Sequence, residues 1–246
     1  MCTAAALTRA QLLALFGSAK QPWRPADWRA VDDRVRGGSS QSHLNSDDGR
    51  SVRFFGTLDT STLGGAGFAS QTTERELHLP RSHFSGLRIE VLPDDEASLA
   101  DEKRPTSFVF NLKTRAPERR PDGRLESRVT YEYEFDGARE GPLDAPWSAF
   151  EATYRGRPAK DAPPLDPAAI VEVSMMCRSG FDRQRGDFSV RLGRVSAVRT
   201  AADNSVDAEV FGSQRRRGVL AWARQAMLAI VGALRNMLGL GVRSKL

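Results

Sequence analysis

Apolar and polar residues alternate with a period of two through much of this chain. Val52, Phe54 and Leu58 fall on one side, with Arg53, Thr57 and Asp59 on the other. Leu87, Ile89 and Val91 oppose Arg88 and Glu90, and Phe108, Phe110 and Leu112 oppose Ser107, Asn111 and Lys113. Val129, Tyr131, Tyr133 and Phe135 alternate with Thr130, Glu132, Glu134 and Asp136. Val171, Val173 and Met175 oppose Glu172 and Ser174, and Phe188, Val190 and Leu192 oppose Ser189 and Arg191. Such alternation marks strands with one buried and one wet face, and hence an antiparallel sheet. With further strands expected around Phe68 and Phe150, the pattern predicts an all-β antiparallel sandwich of jelly-roll type over residues 21–200.

Two segments break the period. Leu7, Leu12, Leu15 and Phe16, closed by Gly17, predict a short helix over residues 1–20. At 100° per residue, Leu220, Ala223, Met227, Ile230, Val231, Leu234, Met237 and Leu238 gather on one face, opposite Arg224, Gln225, Arg235 and Asn236. Residues 213–246 therefore read as a basic amphipathic helix, joined to the sandwich by a polar linker at 201–212. Its longest uncharged run is far short of the ~20 residues a membrane span needs. It can instead lie in a membrane surface with Arg215, Arg216 and Arg217 near anionic headgroups, or pack on a partner or on the sandwich. Trp222 stands at the edge of the apolar face, where an interface suits it. Residues 93–105, 114–127 and 157–167 read as surface loops.

The chain has 246 residues and a formal charge of +5. All 31 acidic residues lie between Asp27 and Gly212, while Arg9, Lys20, Arg24 and the tail's seven cations lie outside. The body carries no basic excess, so the overall charge does not point to nucleic acid. Cys2 and Cys177 are too few for a disulfide framework or zinc finger, and Cys177 is expected to be a buried thiol. His43, His78 and His83 have no ligand at metal-binding spacing, so neither metal nor cofactor is expected. The start has no long apolar stretch of the secretory kind, which predicts an intracellular protein.

The stretch DDRVRGGSSQS, residues 32–42, is the densest cluster of candidate chemistry. A phosphate loop would lead into a helix, and here a strand is expected. Neighbouring Asp32 and Asp33 would point apart, which is a poor acid–base pair. The better reading is a corner. Gly37 and Gly38 supply a reversal, the serines satisfy backbone groups, and Asp32 or Asp33 pairs with Arg34 or Arg36.

With that corner on the page, WRAVDDRVRGGSSQSHL, FFGTLDTSTLGGAGFASQ and FSGLRIEV together resemble the complex I intermediate-associated protein 30 family. Trp28, Asp33, Arg34, Gly37, Gly38 and Ser40 supply its first block, and Gly64, Gly65, Gly67 and Phe68 its second. WSAFEATYRGRP, beginning at Trp147, is similar to a later segment. The resemblance covers roughly residues 20–200. It implies a galactose-binding-like jelly roll that acts as a chaperone-like binder of intermediates in mitochondrial complex I assembly. No catalytic residue comes with the motif. This chain departs from the family in lacking a long arginine-rich presequence and in ending Ser244-Lys245-Leu246, the form of a peroxisomal address. A carbohydrate- or small-ligand-binding module is the alternative, for which Trp23, Trp28 and Trp147 would be platform candidates, although burial is expected for the last two.

Overall fold

Every segment with period-two alternation is a strand, and among the described residues the strands pair only in antiparallel fashion. The computed structural model describes residues 11–94, 104–119, 121, 123 and 126–200. In chain order the strands are β1 (Leu12–Phe16), β2 (Arg29–Ala30), β3 (Gln41–Asn45), β4 (Val52–Leu58), β5 (Phe68–Leu77), β6 (Phe84–Leu92) and β7 (Ser107–Lys113). They continue with β8 (Thr130–Asp136), β9 (Gly141–Pro146), β10 (Glu151–Tyr154), β11 (Arg157–Pro158), β12 (Ile170–Arg178) and β13 (Gly186–Arg199). Sheet A has the order β3-β4-β13-β6-β9, with β1 also on β13. Sheet B has the order β11-β10-β8-β7-β12-β5-β2.

The two sheets form a sandwich because each has one apolar face to hide. Phe54 and Phe188 of sheet A meet Phe108 of sheet B at ring distances of 6.2 and 6.1 Å, and Phe108 reaches Phe135 at 6.0 Å. Leu87, Ile89, Val91, Leu112, Val173 and Met175 complete this buried layer. Cys177 lies in it too, as a free thiol that burial pushes well above the ordinary thiol range.

Strand β13 organises sheet A. Its first half pairs with β4, Gly186 opposite Leu58 through Leu192 opposite Val52. Its second half pairs with β1, Val195 opposite Phe16 and Val198 opposite Leu12. A bulge lies between the halves, and the buried positions change there from Phe188, Val190 and Leu192 to Val195 and Ala197.

The helix expected over residues 1–20 is corrected for its described part, residues 11–20, where Leu12–Phe16 is strand β1. A short apolar run has no inherent preference between the two states. The open edge of β13 beyond the bulge supplies the hydrogen bonds that settle it. Residues 1–10, the linker at 201–212 and the expected tail helix lie outside the described residues.

Phe16 also anchors an aromatic cluster under this edge. Its ring stacks on Trp23 at 4.7 Å, and Trp28 lies 5.7 Å from both. Trp23 Nε1 donates to the carbonyl of Gly193 in the bulge at 2.8 Å. Trp23→Phe keeps most of the stack but orphans that carbonyl and leaves a void. We expect a loss of about 2 kcal/mol, read as a fall in melting temperature of about 4–8 °C.

Candidate functional site

The DDRVRGGSSQS stretch is built as a staple between the two sheets. Asp32 and Asp33 point apart, as neighbours in extended chain must. Asp32 is 7% exposed and Asp33 is 0% exposed. One oxygen of Asp33 accepts from Ser40 N at 3.0 Å. The other accepts from Ser40 Oγ at 2.7 Å and from Phe68 N at 3.1 Å. Asp32 accepts from Ser42 N at 3.2 Å, Ser42 Oγ at 2.6 Å and Ser70 N at 2.9 Å. Ser42 belongs to β3 of sheet A, while Phe68 and Ser70 belong to β5 of sheet B. Asp32 thus fastens one sheet to the other, and Asp33 fastens the residue leading into β3 to the first residue of β5.

This corrects the expected pairing of these aspartates with Arg34 or Arg36. Both arginines are exposed, and Arg36 instead sits over the Phe68 ring at 5.6 Å. A carboxylate with several buried N–H and O–H donors is better satisfied than one reaching for a solvated guanidinium. Gly37 adopts φ +87° and ends the turn at Asp33–Arg36. Gly38 does not share that positive φ. It is small for another reason: a Cβ there would lie 2.3 Å from the Asp33 carboxylate. A Cβ on Gly67 would lie 2.2 Å from the carbonyl of Asp59.

Trp28 is 8% exposed and Trp147 is 3% exposed. Trp147 Nε1 donates to the carbonyl of Phe84 at 2.7 Å. With Trp23 also buried, none of the three indoles is a platform for a ligand. The sequence motif is therefore scaffold. Of the remaining predicted positions, Arg215, Arg216, Arg217, Leu220, Trp222, Met227, Ile230 and Leu234 of the tail, and Ser244, Lys245 and Leu246, lie outside the described residues.

Two faces of the sandwich carry polar chemistry. On the outer side of sheet B, Glu172 is held by Lys113 at 2.6 Å and by Arg128 at 2.7 Å. At the far end of β12 Arg178 bridges Glu132 and Glu134, each at 2.6 Å. Thr153 Oγ1 donates to Glu132 at 2.6 Å, and Ser107 Oγ donates to Glu134 at 2.7 Å. Burial pushes the Glu172 carboxyl up, but Lys113 and Arg128 outweigh it and hold the group below the ordinary carboxylate range. These carboxylates are engaged by cations and hydroxyls across neighbouring strands, which fixes strand register.

The outer side of sheet A carries a cleft of about 350 Å³ lined by Gln41, His43, Arg53, Phe55, Thr57, Asp187 and Ser189, among others. The register makes this grid: Gln41, Thr57 and Asp187 are opposite one another across β3, β4 and β13, and so are His43, Phe55 and Ser189. The Phe55 ring has the Arg53 guanidinium 4.6 Å from its centre and the His43 ring at 5.4 Å. Thr57 Oγ1 donates to Asp187 at 2.7 Å, and Arg53 Nε donates to Ser189 Oγ at 2.8 Å. Ser189 Oγ in turn donates to Asp94. An aromatic ring ringed by hydroxyl, amide and carboxylate groups can hold a small polar molecule by contact and hydrogen bonding. Alternation in β4 and β13 places these outward residues; β3, which completes the cleft, gave no such signal.

Comparison with known proteins finds a family, a curated relative and several solved structures to which the chain is similar. Residues 16–192 match the family model described as complex I intermediate-associated protein 30. An uncharacterized protein of Schizosaccharomyces pombe is 39% identical over 197 residues, covering 76% of this chain and 84% of the relative. Among solved structures, the family 11 carbohydrate-binding module of a Clostridium thermocellum cellulosomal cellulase is similar, with a TM-score of 0.47 and 11% identity. It covers 77% of this chain and 95% of the module.

Proposed function

Because the chain belongs to the complex I intermediate-associated protein 30 family, we propose that it is a non-catalytic assembly factor for mitochondrial respiratory complex I. It binds a partly built intermediate through its surfaces and releases it as assembly proceeds. The observation that carries this reading is the family match over residues 16–192, which takes in strands of both sheets. The placement of the motif supports it. Asp32, Asp33, Ser40 and Gly38 serve the scaffold, which leaves recognition to loops and outer faces. The basic amphipathic segment at 213–246 would hold the sandwich near a membrane or a partner.

Deleting the gene is expected to reduce assembled complex I several-fold and to leave partial assemblies, resolved on native gels. Unchanged complex I in the deletion strain would refute the reading. Tagging at each end in turn separates the mitochondrial site from a peroxisomal one, since a C-terminal tag masks Ser244-Lys245-Leu246.

The cleft at Phe55 favours a second reading, a small-ligand or carbohydrate-binding module. Calorimetric titration with a panel of oligosaccharides tests it. Binding abolished by Phe55→Ala would support it, and no binder in the panel would dismiss it.

A further inference from the structure

The two crossovers that carry the chain between sheets at one end of the sandwich run side by side. The first leads from β4 of sheet A to β5 of sheet B. The second leads from β12 of sheet B to β13 of sheet A. They are fastened to each other throughout. Ser179 N donates to the carbonyl of Gly67 at 2.9 Å, and Asp182 N donates to that of Gly65 at 3.2 Å. Ser179 Oγ donates to the carbonyl of Gly65 at 2.7 Å and accepts from Gly67 N at 2.9 Å. Thr60 Oγ1 adds a bond to Asp182 Oδ1 at 2.9 Å.

This fastened end presents Leu63 and Phe181 to solvent. Phe181 is 81% exposed and Leu63 is 39% exposed. Both have left-handed backbone, with φ 61° and φ 52°, and Asp182 follows at φ 64°. The left-handed region disfavours any residue with a bulky side chain, and glycine or asparagine would fit both positions better. Folding therefore gains little from Phe181, and the positive φ at Leu63 offsets what its partial burial contributes. Phe181 buries little surface, and both residues oppose the local backbone. Residues held in strained conformations and displayed to water are candidates for contact with something else.

We infer that Leu63 and Phe181 form a rigid anchor that inserts into an apolar pocket on a protein partner whose rim carries carboxylates; this rests on the assembly-factor reading and names the surface that performs it. The rim follows from charge. Arg36 and Arg183 are exposed beside the anchor. Arg36 is stacked on Phe68, one residue from Gly67, and Arg183 Nε caps the Gly180 carbonyl at 3.0 Å. Asp182 is matched internally by Thr60 and by Arg185 at 3.5 Å. A rigid aromatic anchor loses little conformational freedom on docking, and flanking arginines favour an acidic rim. A lipid surface fits less well. Two apolar side chains give little area for insertion among lipid tails.

The test uses the full chain in a strain deleted for its own copy. Phe181→Asn with Leu63→Asn should raise the melting temperature of the purified protein or leave it unchanged. The same double variant should restore less than about a tenth of the complex I that the native chain restores, at equal protein level. A photo-crosslinking benzoylphenylalanine at position 181 should form an adduct mapped to an apolar pocket flanked by Asp or Glu on a subunit of an assembly intermediate. Full restoration by the double variant would overturn the anchor while leaving the assembly reading intact. Complex I unaffected by deletion would remove the assembly reading, and the mapped adduct would then decide the anchor alone. Adducts to lipid, to a second copy of this chain, or to no acceptor would overturn it in either case.

Discussion

Asp33→Ala is expected to unfold much of the sandwich at temperatures where the native chain is stable. Three donors lose this acceptor at once: Ser40 N, Phe68 N and Ser40 Oγ, the last keeping only a long contact of 3.4 Å to the Asp59 carbonyl. Both residues that hold this knot in place, Asp33 and Ser40, are fully buried, so water cannot replace the carboxylate without opening the corner. A buried donor left without a partner costs about 1–3 kcal/mol, and three of them sum to about 5 kcal/mol. For a domain of this size that is a fall in melting temperature of about 10–20 °C. Asp33→Asn should recover part of the loss but not all of it, because its amide NH₂ must replace one of the two accepting oxygens and face a donor. Gly38→Val should act on the same knot from the other side by displacing the carboxylate, which is pinned and cannot swing away. A thermal melt of Asp33→Ala within a few degrees of native would show that the staple is dispensable.

Glu172→Ala is the second large effect, and it carries a pH signature. Glu172 is the shared counter-charge of Lys113 and Arg128, and its side chain is 3% exposed. Removing it leaves two cations with no acid between them, one of them Arg128 at 9% exposed. Breaking a buried ion pair from one side costs about 3–5 kcal/mol. In the native chain the carboxyl is held below its ordinary value of 4.5. The folded state therefore binds its proton less readily than the unfolded chain does. The stability this provides is complete above about pH 4.5 and is lost as the pH falls through the folded value. Chemical denaturation at pH 7 and at pH 3 should show a steep decline in the native protein. The decline should be shallower in Glu172→Ala, since that variant has already lost the contribution. Parallel declines would refute the assignment of this carboxylate as the acid-sensitive tie. Glu134 is held low in the same direction, with burial opposed by Arg178 and Ser107, but its side chain is half exposed and contributes less.

These two residues sit at different places in the division of labour. Asp33 joins the sheets, and Glu172 holds register within one sheet. Neither faces the cleft at Phe55 or the tip at Phe181, so their variants should reduce function only through the amount of folded protein. Leu63 and Phe181 are the converse case, with function expected to fall while stability does not.

The sequence by itself determined the strands that alternate. Period two is a local property: a strand buried on one face must show it whatever its neighbours are. It assigned the core-facing side of β4, β6, β7, β8 and β13, and with them the sandwich. The DDRVRGG block also identified the family, since the turn residues and serines lie close together along the chain. Tertiary structure decided everything that rests on pairing between distant segments. Leu12–Phe16 became a strand because the second half of β13 offered an unpaired edge, a fact invisible in an apolar run of five residues. Asp32 and Asp33 found Ser40, Ser42 and the start of β5 rather than the arginines next to them, because burial rewards acceptors that meet several donors and solvent screens the local charge pair. Gly38 proved to be small for the sake of a neighbouring carboxylate rather than for its own backbone angle. The tip at Leu63 and Phe181 exists only where two crossovers, more than a hundred residues apart in the chain, are bound edge to edge. Alternation is written residue by residue, whereas contact between separate strands is a property of the closed sandwich, which is why the first could be read and the second had to be seen.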